Sequence, residues 1–311
     1  MTVSNALKLT CLGMTGGVVL RLVTMLYFYD YATGFFIDNG LLAAATIIFI
    51  AVIWVVSLVM CLKDKQYFFD GYMVQKNMFA GSVSLLSAAI LGVMSVNLFT
   101  DSNDFFPEQY SDAQPQGNAI HMLFIILSFL MAVLQLTTSA GFFTGKNLFA
   151  KAPALQLAGI FWGIINVLFT FLFYAKSAVT TENIYMIIGS VSLLFALLYI
   201  GKLIVGFGDS STAKRLYALG IPAVMLNITY NLSNLVLNLL GKNYMDTGET
   251  PLIIQAANLC VALYVLSFMF TFRKYSLKSN TKSSSPRDTA EDITENKTAG
   301  TTESLTESTK Y

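Results

Sequence analysis

Residues able to do chemistry are scarce in this chain, and the densest group of them is a row of amides. Asn227, Asn231, Asn234 and Asn238 are spaced 4, 3 and 4 residues apart, which in an α-helix confines them to an arc of about 60°. They lie in an apolar run, Leu216 to Leu240. Amides turned toward hydrocarbon lose their hydrogen bonds, so this face must meet another helix or a wet cavity. Asn227-Ile-Thr229 and Asn231-Leu-Ser233 are formal glycosylation sequons, out of reach inside a span.

Arg21 interrupts a second apolar run, Leu9 to Tyr29, at a comparable depth, and Gln255 and Asn258 occupy the same half of a third, Pro251 to Phe272. An arginine near the bilayer centre costs about 2.5–3.5 kcal/mol on insertion scales. One interhelical hydrogen bond returns roughly 0.6 kcal/mol, so several amides around one guanidinium would make Arg21 tolerable. Arg21 is therefore expected to meet Asn231 and Asn234. Arg21, Asn227, Asn231, Asn234, Asn238, Gln255 and Asn258 form the candidate site. It is either a buried polar network, the preferred expectation, or an outward-facing pocket for a small polar or anionic solute, with Pro222 bending the helix beneath it. Asn97 and His121 sit near outer helix ends, His121 as an interfacial residue and not a catalyst.

Other chemistry is excluded by what is missing. The apolar runs hold no aspartate or glutamate, which removes the commonest proton or sodium relay, although uniport and backbone-coordinated ions remain open. There is no HExxH, no GxSxG, no second histidine and no pair of membrane aspartates. Gly141 to Lys146 resembles a phosphate loop, but the spacing is one residue short and Asn147 replaces Ser/Thr. Cys11, Cys61 and Cys260 stand singly in apolar stretches, which suggests neither a disulfide framework nor a zinc site. No catalyst, metal or cofactor is expected, and a net charge of +1 offers nothing to nucleic acid.

The elements that must carry these residues are helices in a membrane. The chain has 311 residues, 55% hydrophobic and 12% charged, about half the charged fraction of a soluble domain. Runs long enough to span are Leu9–Tyr29, Leu41–Leu62, Met78–Phe99, Ala119–Phe142, Leu155–Tyr174, Ile184–Val205, Leu216–Leu240 and Pro251–Phe272. This predicts an all-α, polytopic transmembrane bundle of about eight helices, with seven as the alternative if the Arg21 segment does not cross. That segment lacks a small-x-small cleavage site before Asp30, so it reads as a retained helix and not as a signal peptide.

Orientation follows from the basic residues. With the N-terminus in the cytoplasm, Lys8, Lys63, Lys65, Lys76, Lys146, Lys151, Lys214, Arg215, Arg273, Lys274 and Lys278 are inside, and only Lys176 and Lys242 are outside. Both termini are then cytoplasmic. Lys202 is one turn from the inner end of its helix and can snorkel. Trp54, Trp162 and the aromatic clusters at Tyr27 to Tyr31 and Tyr67 to Tyr72 fit interfacial belts.

The outer loop Asp101 to Asn118 carries Asp101, Asp104, Glu108 and Asp112 without calcium-loop spacing and is expected to be solvated. Residues 1–272 form the bundle, and 273–311, rich in Ser, Thr, Lys and Glu, form a disordered cytoplasmic tail. The tail is a place for a protein partner. The hexapeptide from Gly81 to Leu86 recurs from Gly189 to Leu194 without matching flanks, which reads as coincidence. Ala80, Ser84, Ala88 and Gly92, with the GxxxG pairs Gly13/Gly17 and Gly159/Gly163, predict close helix packing.

At Asp30-Tyr31-Ala32-Thr33-Gly34-Phe35-Phe36, and from Gly206-Phe207-Gly208-Asp209 through Lys214-Arg215, the chain resembles a loose group of uncharacterised bacterial multi-spanning membrane proteins. The resemblance implies a bacterial cytoplasmic membrane and no particular activity. The sequence thus predicts a non-enzymatic membrane component that acts through binding, sensing or partner contacts. The alternative is a permease using the Arg21 and asparagine face.

Overall fold

The computed structural model describes residues 3–31, 33, 35–63, 67–69, 72–100, 114–150, 152–174, 180–242 and 250–279. It is an all-α helical bundle. Its helices are α1 (Val3–Tyr27), α2 (Leu41–Lys63), α3 (Met78–Thr100), α4 (Gln114–Thr144), α5 (Leu157–Phe169), α6 (Thr180–Val205), α7 (Ser210–Leu239) and α8 (Leu252–Tyr275). A 3-10 turn, Pro153–Gln156, leads into α5, and a π-helical turn, Thr170–Tyr174, extends it. The first helix begins at Val3, earlier than the apolar run suggested. The carboxylates Asp101, Asp104, Glu108 and Asp112, as well as Lys176 and the tail from 280 onward, lie outside the described residues.

Seven helices are long and apolar enough to cross a membrane. Three show why the surrounding solvent must be apolar. On α2, Ile48, Val52, Val55, Val59 and Leu62 are 43 to 63% exposed. Met122, Ile126, Phe129, Val133 and Leu136 form a matching exposed stripe on α4, and Leu157, Phe161, Ile164, Leu168 and Phe171 another along the α5 segment. Each follows the 4,3 alternation of one helix face. Water does not tolerate contiguous apolar stripes of this extent. Lipid does.

The remaining long helix, α7, is the polar one, and the bundle encloses it. Every residue from Gly220 to Asn231 is buried, a run of more than three turns that leaves no face open. α1, α2, α6 and α8 pack around it. A helix sheathed in protein need not be hydrophobic, because its polar groups can find partners in its neighbours.

Side-chain contacts give the helix directions. Gly13 lies against Met225 and Gly17 against Thr229, while Arg21 bonds to Asn234, so α1 and α7 run parallel. Gly13 and Gly17 also meet Ile53 and Ile50, which makes α1 and α2 antiparallel. The α3–α4 pair (Ser84–Gln135, His121–Leu98) is antiparallel, as are α5–α6 (Gly163–Leu194, Gln156–Gly201) and α6–α7 (Gly189–Asn227, Tyr185–Tyr230). Tyr217 Oη donates to the Met269 carbonyl of α8, and Asn77 before α3 bonds to Thr271. The start of α1 and the end of α8 therefore share one end of the bundle, called here the N-terminal end.

Small residues work at these crossings largely as their spacing suggested. Of the Ala80, Ser84, Ala88 and Gly92 stripe, the first three are buried, whereas a side chain at Gly92 would meet nothing within 4 Å. The repeated hexapeptide has no shared role, since Gly81 receives the Phe143 ring and Gly189 receives Asn227.

Two short antiparallel pairings close the ends. β1 (Tyr29–Asp30) pairs with β2 (Phe35–Phe36) after α1, and β3 (Tyr67–Phe69) pairs with β4 (Leu277–Ser279) just past α8. Residues 273–279, expected at the head of the tail, thus continue the last helix and add a strand.

The tryptophans correct an expectation. Trp162 is fully buried, and its indole N–H donates to Ser128 Oγ at 3.1 Å. Trp54 points inward from mid-α2 and donates to the Ala218 carbonyl at 2.9 Å. Pro222 explains the latter contact: it has no N–H, so the carbonyl four residues before it loses its helical partner. Trp54 supplies the missing donor. At the start of α7, Asp209 accepts from the Thr212 N–H and from the Ser211 and Thr212 hydroxyls. These bonds, the Thr212 hydroxyl first, hold its carboxyl down at about 2. The cap is complete above the ordinary carboxyl value of 3.8 and is lost as pH falls toward 2.

Trp54→Phe is expected to cost about 1–3 kcal/mol by leaving that carbonyl buried and unsatisfied. In a Pro222→Ala background, where the helix can restore its own bond, the same substitution should cost clearly less. Thermal unfolding of the four members of this cycle measures the difference.

Candidate functional site

The site is built on α7 because its 4,3,4 asparagine spacing turns one face toward α1 and α6. Arg21 of α1 is only 3% exposed. One of its terminal nitrogens donates to Asn234 Oδ1 at 2.9 Å. Its guanidinium carbon lies 5.1 Å from the Tyr185 ring centre of α6 and 4.9 Å from that of Tyr230 of α7, and the two rings stack 6.2 Å apart. Two tyrosine π faces and an amide oxygen thus replace part of the hydration that burial removes.

Above this group, Met25, Tyr29 and Leu237 form a buried cluster, with Leu22, Tyr31 and Phe36 packed against it. Tyr29 meets Tyr31 and Phe36 edge-on, Tyr31 Oη donates to the Met25 carbonyl, and Lys242 lies over the Tyr31 ring at 5.4 Å. The β1–β2 hairpin therefore gathers an aromatic cluster just past the end of α1.

The other asparagines divide their bonds. Asn227 donates across to the Gly189 carbonyl of α6 at 2.9 Å and back to the Ala223 carbonyl at 2.8 Å. Asn231 donates to the Asn227 carbonyl at 2.8 Å. The expected meeting of Arg21 with Asn234 is present. Asn231 is instead occupied by its own helix, because its side chain reaches the carbonyl four residues back. Asn238 is half-buried near the helix end, where its carbonyl accepts from the Gly241 N–H.

Gln255 and Asn258 are buried but are not bonded to Arg21 in this arrangement. Gln255 donates to the Thr250 carbonyl at 2.6 Å, and Asn258 Oδ1 accepts from Asn166 of α5 at 3.1 Å. The seven candidates thus separate into an α1–α6–α7 group and an α5–α8 amide pair. His121 is buried as well, 2% exposed, with Nε2 at 2.9 Å from the Leu98 carbonyl. Asn97 is half-buried, and Lys202 is exposed beside the Tyr199 ring.

Four participants escaped the sequence reasoning. Tyr185 and Tyr230 drew no assignment, because nothing in their spacing pairs them with Arg21. Asn166, like Gln135, which bonds to Ser84 at 2.8 Å, is a lone amide within an apolar run. An inventory of every amide inside a span would have found both.

Buried polar atoms of α7 with no hydrogen-bond partner among the described residues include Thr229 Oγ1, Ser233 Oγ and Asn234 Nδ2. Asn234 has spent its oxygen on Arg21, so its amide nitrogen points elsewhere as an unspent donor. Among the described residues no three or more His, Cys, Asp or Glu side chains gather to hold a metal, and Cys11, Cys61 and Cys260 form no disulfide. Comparison with protein-family models, curated proteins and solved structures finds no match to this chain.

Replacing Asn234 with Leu is expected to cost about 1.5–3 kcal/mol, the range of a hydrogen bond to a charged group. The loss should shrink in an Arg21→Met background, where no guanidinium needs the amide. Thermal unfolding of the single and double variants checks the coupling.

Proposed function

We propose that this protein is an eight-span membrane component with both ends in the cytoplasm, one that works without catalysis, by binding partners at the ends of a rigid bundle. The basic residues support the direction: Lys8, Lys63, Lys76, Lys146, Lys214, Arg215, Arg273 and Lys274 all fall at the N-terminal end. The alternating helix directions support the count. α7 lies parallel to α1 and antiparallel to α6 and α8, so it crosses with them although its own composition is polar.

The observation that carries the non-transporting part is the enclosure of Arg21. It is 3% exposed, bonded to Asn234 and flanked by Tyr185 and Tyr230. An arginine held in this way acts as a staple between α1, α6 and α7. Its role is to hold the bundle in register, while recognition falls to the loops and the tail.

A second reading, a permease for a small polar or anionic solute, is favoured by one observation. Thr229 Oγ1, Ser233 Oγ and Asn234 Nδ2 are buried donors and acceptors with no hydrogen-bond partner among the described residues, and a polar guest would satisfy them.

Cysteine accessibility separates the two. In a background lacking Cys11, Cys61 and Cys260, the substitutions Asn231→Cys and Ser233→Cys are expected to resist a membrane-impermeant thiol reagent. Leu239→Cys, at a position 86% exposed, should label readily. Labelling along the asparagine face would overturn the staple and establish an aqueous path.

A further inference from the structure

At the N-terminal end of the bundle, the start of α3 and the last turns of α8 enclose a cleft of about 460 Å³ whose lining includes Asn77, Phe79, Phe270, Thr271, Arg273 and Lys274. Its chemistry has two halves. Arg273 and Lys274 bring two positive charges, and none of the lining residues is acidic. The Arg273 Nε is buried with no hydrogen-bond partner among the described residues, so the guanidinium keeps a costly unspent donor. Phe79, 72% exposed, and Phe270, 38% exposed, supply an apolar wall.

The backbone adds to the positive half. Asn77 caps α3 by accepting from the Ala80 N–H, and its amide nitrogen bonds to Thr271 Oγ1 at 2.9 Å. This fixes the N-terminus of a 23-residue helix against α8, with the positive end of its dipole at the cleft. Lys76 directly precedes the cap.

An inorganic anion would use the cations and leave the phenylalanines idle, and a neutral lipid would do the reverse. A ligand that uses both halves carries a phosphate on a hydrocarbon chain. We propose that this cleft binds an anionic phospholipid, with Arg273 and Lys274 on its phosphate and its acyl chain along Phe79 and Phe270. The inference rests on the bundle crossing a membrane and is independent of the role assigned to Arg21.

The test uses the full chain purified in a neutral detergent, with retained lipid read by native mass spectrometry and stability by the thermal midpoint. Phosphatidylglycerol is expected to bind and raise the midpoint, and phosphatidylcholine to do neither. Arg273→Gln with Lys274→Gln should weaken phosphatidylglycerol binding at least about tenfold, given the usual contribution of each basic residue at a membrane surface. Lys274→Gln alone changes only an exposed side chain, so it should weaken binding without harming the fold. Lys63→Gln with Lys214→Gln removes the same charge at the same end, away from the cleft lining, and should leave binding intact.

Equal loss in that control would overturn the site in favour of diffuse attraction. Equal binding of phosphatidylcholine would overturn the headgroup assignment, and an equal midpoint shift from inorganic phosphate would overturn the lipid. A chain that stayed soluble without detergent would overturn the membrane reading itself, an outcome distinct from loss of lipid selectivity.

Discussion

In hydrocarbon a polar side chain has no water to turn to, and α7 carries four asparagines among seven helices long and apolar enough to cross a membrane. The only low-energy place for such a helix is inside protein. This constraint arranges the rest of the molecule: α1, α2, α6 and α8 surround α7, and the helices with exposed apolar stripes take the lipid. Close approach is what makes the enclosure possible. Gly13 and Gly17 let α1 settle against Met225 and Thr229, where a Cβ would come within 2.6 Å of each. That approach carries Arg21, one turn further on, to Asn234.

Arg21 shows how a bundle of apolar helices holds a buried charge. Its described contacts are an amide acceptor and two aromatic faces. The asparagines share the task unevenly. Asn227 ties α7 to α6, Asn231 bonds within its own helix, and Asn234 meets the charge. A periodic row of one residue type thus serves three separate ends, because each successive amide faces a slightly different neighbour.

The same economy recurs elsewhere. Pro222 frees a carbonyl that Trp54 takes up from α2, Asn166 joins α5 to α8, and Gln135 joins α4 to α3. Each ties two helices through polar atoms, and the α3–α4 seam adds His121 on the Leu98 carbonyl and Ser139 on that of Gly81. In lipid, where apolar burial gives little reason for helices to associate, such contacts and close packing select one arrangement over many. A bundle built this way is suited to holding its ends in fixed relation, which is where its charge is concentrated.

Much of this was legible in the chain alone. The helix positions follow from apolar runs of the required length, and the inward direction of the asparagine face follows from the cost of exposing amides to lipid. Both are local or one-dimensional properties that a sequence states directly. The partners are not. That Arg21 chooses Asn234 over Asn231 depends on the parallel register of α1 and α7. That Tyr185 and Tyr230 flank it depends on the antiparallel register of α6 and α7. Gln255 and Asn258 shared a depth with Arg21 in the sequence, yet they bond to Thr250 and Asn166, since depth along a span says nothing of position around the bundle. The tryptophans followed the same rule: residue type pointed them to the interface, and a carbonyl freed by Pro222 and a serine on α4 drew them inward. The sequence by itself determined which groups could not face lipid. Only the tertiary structure decided what each would face, because helix rotation and pairing are set by packing among all the helices at once.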